Sequence, residues 1–528
     1  MHLVPWFARR AFWDFFAWFK MAGVKPLNIP LPPAVNRPIR PVPVGQAIPE
    51  VPLKVVLTCP PGEIPADERS ALKSKIYQVQ VWLYSHFSPM QPGLPPIDAD
   101  PDKALKRAYT RLRRSKLAPP VLPAEYLGSP DLGALAVRGP YACYTTRRAD
   151  GLDGPGGPNG PNGLNGLYAW DLMSMAQYPT QPGLQTLGAT VLFSVDANQR
   201  ALRAIQIDTV QGSSRPGDGG WELAKKIALC TVTTHLSLVR HFNGVHLIGG
   251  SYLAMATRNQ LPSTHPLCRL LWPYIYATMQ SNDTVTRGQM VRGGDFETTF
   301  SLSFEAMCRL FDDSHADYDL IVNDPQEDGL ARGILDAGFD TPTQDNLQAL
   351  FDPLHRHARR YLQLYYPETR PGAATDAIRQ DVAVGAWLDE LNTLFPRGVA
   401  VTRATVNFDR LARLLARFMY LVSVQHEVLG SYVWNYQLWT HRQPIRIRVD
   451  GQREPLDVYQ RLVNANYNLC VHRRELIYDF SYLVDDMPGK AECRALSREL
   501  NALQQEMERQ PWAVWRLYPQ ALKVNINA

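Results

Sequence analysis

A mainly α-helical fold with long central helices and a small β element is predicted by three features of this chain. Apolar residues recur with helical periodicity over 219–257, 268–281, 345–366, 378–394 and 406–432. Strand-like patterning is confined to two short runs, Ala189–Val195 and Leu202–Ile207. No internal period points to a repeat architecture.

From the N-terminus, MHLVPWFARRAFWDFFAWFK holds eight aromatic residues in twenty. Arg9, Arg10 and Asp14 interrupt any apolar run long enough to cross a bilayer, and no hydrophobic stretch leads to a small-residue cleavage site. Neither a membrane span nor a secretory leader is therefore expected. Wound as a helix, Arg9, Arg10, Asp14 and Lys20 share one arc and the aromatic rings fill the remainder. Such a helix either docks on its own protein or lies in a membrane interface. The expectation is a cytoplasmic chain with peripheral membrane contact through residues 1–20. Nine prolines between Pro26 and Pro52 preclude a helix there and predict an extended arm. Helix and arm together make a leading unit of residues 1–53, and the body is expected over 54–528. Residues 69–116 read as helical, and DGLDGPGGPNGPNGLNG (150–166) as a flexible surface loop.

Composition narrows the function classes. The 528 residues are 45% apolar and 20% charged with a net charge of +5, the profile of an ordinary globular protein with a slightly basic surface. No polybasic run of the kind nucleic-acid binding uses is present, so no nucleic-acid partner is expected. The seven cysteines are scattered, odd in number and never in a CxxC pair, which predicts reduced thiols instead of a disulfide frame or zinc site.

RHFNGVH (240–246) carries the most specific chemistry. On an α-helix each residue turns about 100°, so His241 and His246, five apart, would point roughly 140° away from each other. A π-helical turn, with its i→i+5 bonding, brings such a pair onto one face, and turns of this kind concentrate at functional sites. Two imidazoles on one face need a third from another helix, and LVSVQHEVLGSYVWNY (421–436) offers His426 in apolar surroundings. Three imidazoles with oxygen donors suit a redox metal with an open position. Glu427 follows His426 directly, but one residue on it points about 100° away and is not read as a ligand.

The segment WELAKKIALCTVTTHLSLVRHFNGVHLIGGSYLAMATRNQLPSTHPLCRLLWPY (221–274) resembles the signature helix of lipoxygenases. GGDFETTF (293–300) is similar to that family's G-x-x-ETTF stretch and SVQHEVLG (423–430) to its third-histidine motif. Tyr365, Tyr366, Asp381 and Trp387 follow in family order, and the resemblance runs from about Trp221 to Ala528. It implies a lipoxygenase-like helical catalytic domain without the β-barrel that precedes it in plant and animal members. It implies a non-haem iron, with manganese as the alternative, held by His241, His246, His426 and the carboxylate of Ala528. It further implies a metal-bound hydroxide that abstracts hydrogen from a polyunsaturated fatty acid or lipid-like chain, after which O2 adds. Gly430 stands where the family usually supplies a further side-chain ligand. Val285, Gln289 and Phe296 are placed by register in the substrate pocket, Val285 at a position where the family usually has Ala or Gly. These departures leave a second reading: a diverged oxygenase or desaturase acting on a non-fatty-acid substrate.

Other histidines are set aside. DDSHADYD (312–319) is expected to be a solvated loop, and HRHARR (355–360) a wet, basic helix face. His235 is expected near the site at most, and His265 resembles a structural histidine of the family.

Overall fold

The alternating runs form the centre of a five-stranded antiparallel meander. Its strands, in spatial and chain order, are Thr146–Arg147, Leu167–Asp171, Ala189–Asp196, Ala201–Thr209 and Gly212–Ser214. Val191 lies opposite Ile207, with an irregularity between Leu192 and Phe193. The strand Leu167–Asp171 was not foreseen. It buries Tyr168 and Trp170, whose indole Nε1 donates to Thr145 Oγ1 at 3.0 Å and whose ring meets Phe193 edge-on. The sheet rests on the first long helix, where Gly188 N donates to Thr231 Oγ1 at 3.0 Å.

These elements come from a computed structural model that describes residues 28–34, 37–69, 128–148, 167–335, 337–430, 433–437, 442–451, 474–510 and 516–526, with a few isolated residues before 28 and at 79. The expected helix over 69–116, the glycine-rich loop 150–166 and most of the aromatic segment 1–20 lie outside the described residues. Among the described residues no helix is long and apolar enough to cross a membrane. Six cysteines are described, each as a free thiol.

The fold is mainly α. Its spine runs unbroken from Trp221 to Gln260, α-helical over Trp221–His235, π-helical over Leu236–Gly250 and α-helical again over Ser251–Gln260. The helix expected over 268–281 breaks into Pro266–Ile275 and Thr278–Gln289, because Ala277 takes a left-handed conformation (φ 64°). That geometry costs a non-glycine residue about 1–2 kcal/mol, and polar side chains hold the break in place. Asn525 Nδ2 donates to Pro273 O at 2.9 Å, and the buried Glu68 accepts from Met279 N at 3.0 Å and Gln280 N at 3.3 Å while pairing with Arg258 at 2.6 Å. Likewise the helix expected over 378–394 is two, Ala373–Gln380 and Val382–Leu394. Asp381 caps the second by accepting from Ala383 N and Val384 N.

Two readings of histidine-rich stretches are corrected. DDSHADYD is a solvated loop only from Asp317 onward, because its first five residues end the helix Phe304–Ala316. There Asp312 accepts from Lys54 N and Val55 N, and His315 Nε2 shares a 2.8 Å hydrogen bond with Tyr252 OH. HRHARR is only partly a wet face. His357 is buried and its Nδ1 lies 2.9 Å from Glu492 Oε1, because the unforeseen helix Met487–Arg509 packs along Pro342–Tyr365. The proline-rich arm lies against the body where it is described, and it is not extended throughout, because Val44–Ala47 forms one helical turn between prolines. Ile29 and Ile39 are buried, Ile39 N donates to Asn259 Oδ1, and Trp272 Nε1 donates to Pro30 O at 2.7 Å.

Candidate metal centre

His241 and His246 sit within the π-helical segment Leu236–Gly250, so the five-residue spacing that would separate them on an α-helix sets them side by side. Their ring centroids are 4.9 Å apart. The helix carrying His426 reaches them through a second π-helical segment, Leu421–Gln425, where Ser423 Oγ donates back to Met419 O at 2.6 Å. Hydroxyls bonded in this way distort helices. Glycine makes the crossing close: a Cβ on Gly249 would lie 2.5 Å from Leu421 Cδ2, and one on Gly250 would lie 2.4 Å from Ile526 Cδ1. Side chains at either position would push these segments apart.

The three imidazoles converge, each at least nine-tenths buried, with donor atoms within 4.8 Å of one another. His246 Nε2 lies 3.2 Å from His241 Nε2 and 3.2 Å from His426 Nε2. Their partners settle two of the tautomers. Asn282 Nδ2 donates to His246 O at 2.7 Å and to Ser251 Oγ at 2.6 Å, which turns Asn282 Oδ1 toward His246 Nδ1 at 3.3 Å. An acceptor there requires the proton on Nδ1. His426 Nδ1 likewise donates to Glu427 Oε1 at 3.0 Å. Both rings, when neutral, therefore present Nε2 lone pairs to each other at 3.2 Å, a repulsive arrangement unless a cation lies between them. Metal–imidazole bonds of about 2.1 Å at right angles place two nitrogens about 3.0 Å apart, so the residues fit a metal ion.

One side of the cluster is aromatic. Phe242 stacks on His246 with centroids 5.2 Å apart, and Phe296 meets Phe242 edge-on at 4.2 Å. Phe296, assigned to the pocket by sequence register, thus stands one ring away from the histidines. Asn282, Val285 and Gln289 recur at helical spacing along Thr278–Gln289, which places Val285 and Gln289 one and two turns beyond the His246 support. Val285 is buried, and Gln289 Oε1 is enclosed without a hydrogen-bond partner among the described residues. Gly430 faces the cluster, where a Cβ would come within 2.6 Å of His241 Nε2. Ala528 lies outside the described residues, and Ile526, the last of them, is buried against Gly250.

Of the remaining sequence-selected residues, Asp381 gathers two. Its Oδ2 accepts from Tyr366 OH at 2.7 Å and pairs with His265 Nε2 at 3.1 Å, while Trp387 Nε1 donates to Thr257 Oγ1 at 3.2 Å. Burial pushes the Asp381 carboxyl up, but Tyr366, the Val384 amide and His265 together hold it below the usual range. His235 stands apart from the cluster, sharing a 2.7 Å hydrogen bond with Tyr144 OH. Asn282, Phe242 and Glu427 are the supporting residues that sequence reasoning missed or set aside. An amide within a helix or an aromatic beside a histidine gives no distinguishing signal, and only the fold pairs them with the rings.

The family model for lipoxygenases matches residues 194–468, more than half of the chain and all three histidines. The chain belongs to the lipoxygenase family. Among curated lipoxygenases, the chloroplastic lipoxygenase 2 of Tanacetum cinerariifolium is 28% identical over 186 residues, covering 33% of this chain and 20% of that protein. The linoleate 9/13-lipoxygenase of Pseudomonas aeruginosa is 22% identical over 213 residues, covering 40% of this chain and 30% of that protein. The matched stretch is thus under a third of either relative's length. Solved lipoxygenases share the fold across most of the chain. A calcium-dependent 11R-lipoxygenase superposes with a TM-score of 0.74 at 16% identity, covering 99% of this chain and 80% of its own. Coral 8R-lipoxygenase gives 0.71 at 15% identity, covering 88% and 76%.

Proposed function

We propose that this lipoxygenase-family chain is a non-haem metal dioxygenase that inserts O2 into a polyunsaturated fatty acid or lipid-like chain. The observation that carries the reading is the pair of facing Nε2 lone pairs on His246 and His426, with His241 Nε2 beside them in a buried cluster. His241, His246 and His426 would hold iron, or manganese as the alternative. Such an ion supplies one-electron redox chemistry able to break the weak C–H bond of a methylene between two cis double bonds. Asn282 fixes the His246 ring, and Glu427 contacts His426 from the side away from the cluster. Phe242 and Phe296 wall off water and offer an apolar surface to an acyl chain. Relatives named for linoleate, and a solved lipoxygenase complex with arachidonate, support a fatty-acid substrate. The amphipathic segment 1–20 would bring the chain to lipid surfaces.

The test is metal content followed by oxygen uptake with linoleate and arachidonate. One ion per chain is expected, with uptake and conjugated hydroperoxide products. His241→Ala, His246→Ala and His426→Ala should each lose both metal and turnover. Wild-type protein that retains no metal, or an alanine variant that retains all of it, overturns the corresponding assignment.

A second reading has its own observation. Gln289 Oε1 is an enclosed acceptor with no partner among the described residues, which favours a substrate bringing a hydrogen-bond donor into the pocket. On that reading the chain oxygenates or desaturates a more polar molecule, and oxygen uptake with both fatty acids would be absent although metal is bound.

A further inference from the structure

Glu427 is 2% exposed and follows His426 directly, yet its carboxylate folds back to the ring nitrogen that faces away from the cluster. We propose that Glu427 is a positioning residue for the metal: it holds the His426 ring in the tautomer that presents Nε2 and lends the centre a negative charge through that ring, without coordinating. This rests on the metal-binding reading above.

Three features support it. The 3.0 Å contact runs from Nδ1–H to Oε1, so the proton is fixed on the nitrogen that does not face His246. A carboxylate in this place raises the basicity of the opposite nitrogen and fixes the ring's orientation. Gly430, one helical turn beyond His426, contributes no side-chain donor, and a Cβ there would press on His241. The anion therefore reaches the centre from behind one imidazole, leaving the space in front of the rings free. At the equivalent nitrogen His246 meets the neutral amide of Asn282, so the two rings are unequal ligands.

The test loads full-length wild type, Glu427→Gln and Glu427→Ala with ferrous iron and follows iron loss to a chelator. Glutamine keeps an acceptor oxygen but not the charge, and alanine removes both. Loss should accelerate about tenfold in Glu427→Gln and up to about a hundredfold in Glu427→Ala, the usual span for such a partner. The reduction potential of the bound iron should rise in Glu427→Gln, a change that a purely structural role would not produce. Iron-free Glu427→Gln should melt no lower than iron-free wild type. Equal iron loss in wild type and Glu427→Gln, with an unchanged potential, refutes the inference while leaving the metal site standing. So does a lower melting temperature of iron-free Glu427→Gln with iron loss unaltered. A wild type that takes up no iron refutes the metal-binding reading itself.

Discussion

Gly430→Ala tests how closely the backbone of the His426 helix approaches the centre. The added Cβ would lie 2.6 Å from His241 Nε2 and 2.7 Å from Cε1, where ordinary contact begins at 3.4 Å. Relieving this takes a ring displacement of about 0.8 Å, several times the roughly 0.2 Å tolerance of a metal–ligand bond. Overpacking of this kind costs about 1–3 kcal/mol when neighbours cannot relax. The loss should therefore fall mainly on iron retention, because the His241 ring yields more easily than the backbone. Iron per chain after dialysis, and melting temperature with and without iron, separate the two effects. The expected result is severe iron loss with a smaller drop in iron-free stability. Gly430→Asn is the sharper comparison, since it offers an oxygen donor from the same Cβ position and is expected to fail equally. An asparagine variant that holds iron more tightly than wild type would refute the steric argument and show that the crossing can open.

The other predictions concern neighbouring groups. Asn282→Ala strips partners from His246 Nδ1, His246 O and Ser251 Oγ, so stability should fall by about 1–3 kcal/mol. Denaturant unfolding without metal would show it, and an unchanged midpoint would mean that water replaces the amide. Val285→Ala removes two buried carbons, about 1.6 kcal/mol at ~0.8 kcal/mol each, and should change the position or handedness of oxygenation; an identical product profile would argue against its register in the pocket. Burial, reinforced by Arg240, pushes the His235 pKa down to about 3, against about 6.5 in an unfolded chain. Between these values the unfolded chain binds the extra proton. This contribution is intact above about pH 6.5 and drains away toward pH 3, at up to about 1.4 kcal/mol per pH unit. Urea midpoints measured from pH 7 to pH 4 should converge on a shallower slope in His235→Gln, and parallel curves would refute the assignment.

The centre was legible in the sequence because its geometry is encoded in an anomaly. Two histidines five apart make no sense on an α-helix, and the apolar helix around His426 supplied the third ring. The strands Ala189–Asp196 and Ala201–Thr209 were readable from their apolar patterning. What escaped were features set by contacts between distant segments. The second π-helical turn, Leu421–Gln425, owes its place to the crossing at Gly249 as much as to Ser423, and no local pattern announces it. The breaks at Ala277 and Asp381 are held by Glu68, Asn525 and His265, each more than a hundred residues away along the chain. His357 looked solvent-facing because the helix that covers it begins some 130 residues later. Angular reasoning kept Glu427 out of the ligand set, but could not foresee that it would turn back to the far nitrogen of its neighbour.

The crossing of the two π-helical segments also bears on how the chain is made. His426 follows His246 by 180 residues, which at roughly 5–20 residues per second is about 10–40 s of synthesis. Throughout that interval Leu421 is not there to press on Gly249, and nothing from the second segment holds the first in its wider winding. An emerging helix in ordinary α geometry keeps His241 and His246 about 140° apart, unable to grip one ion together. On the metal-binding reading proposed above, copper and zinc, which outcompete iron for imidazole, would then meet two separated histidines instead of a half-built chelate until the second segment arrives.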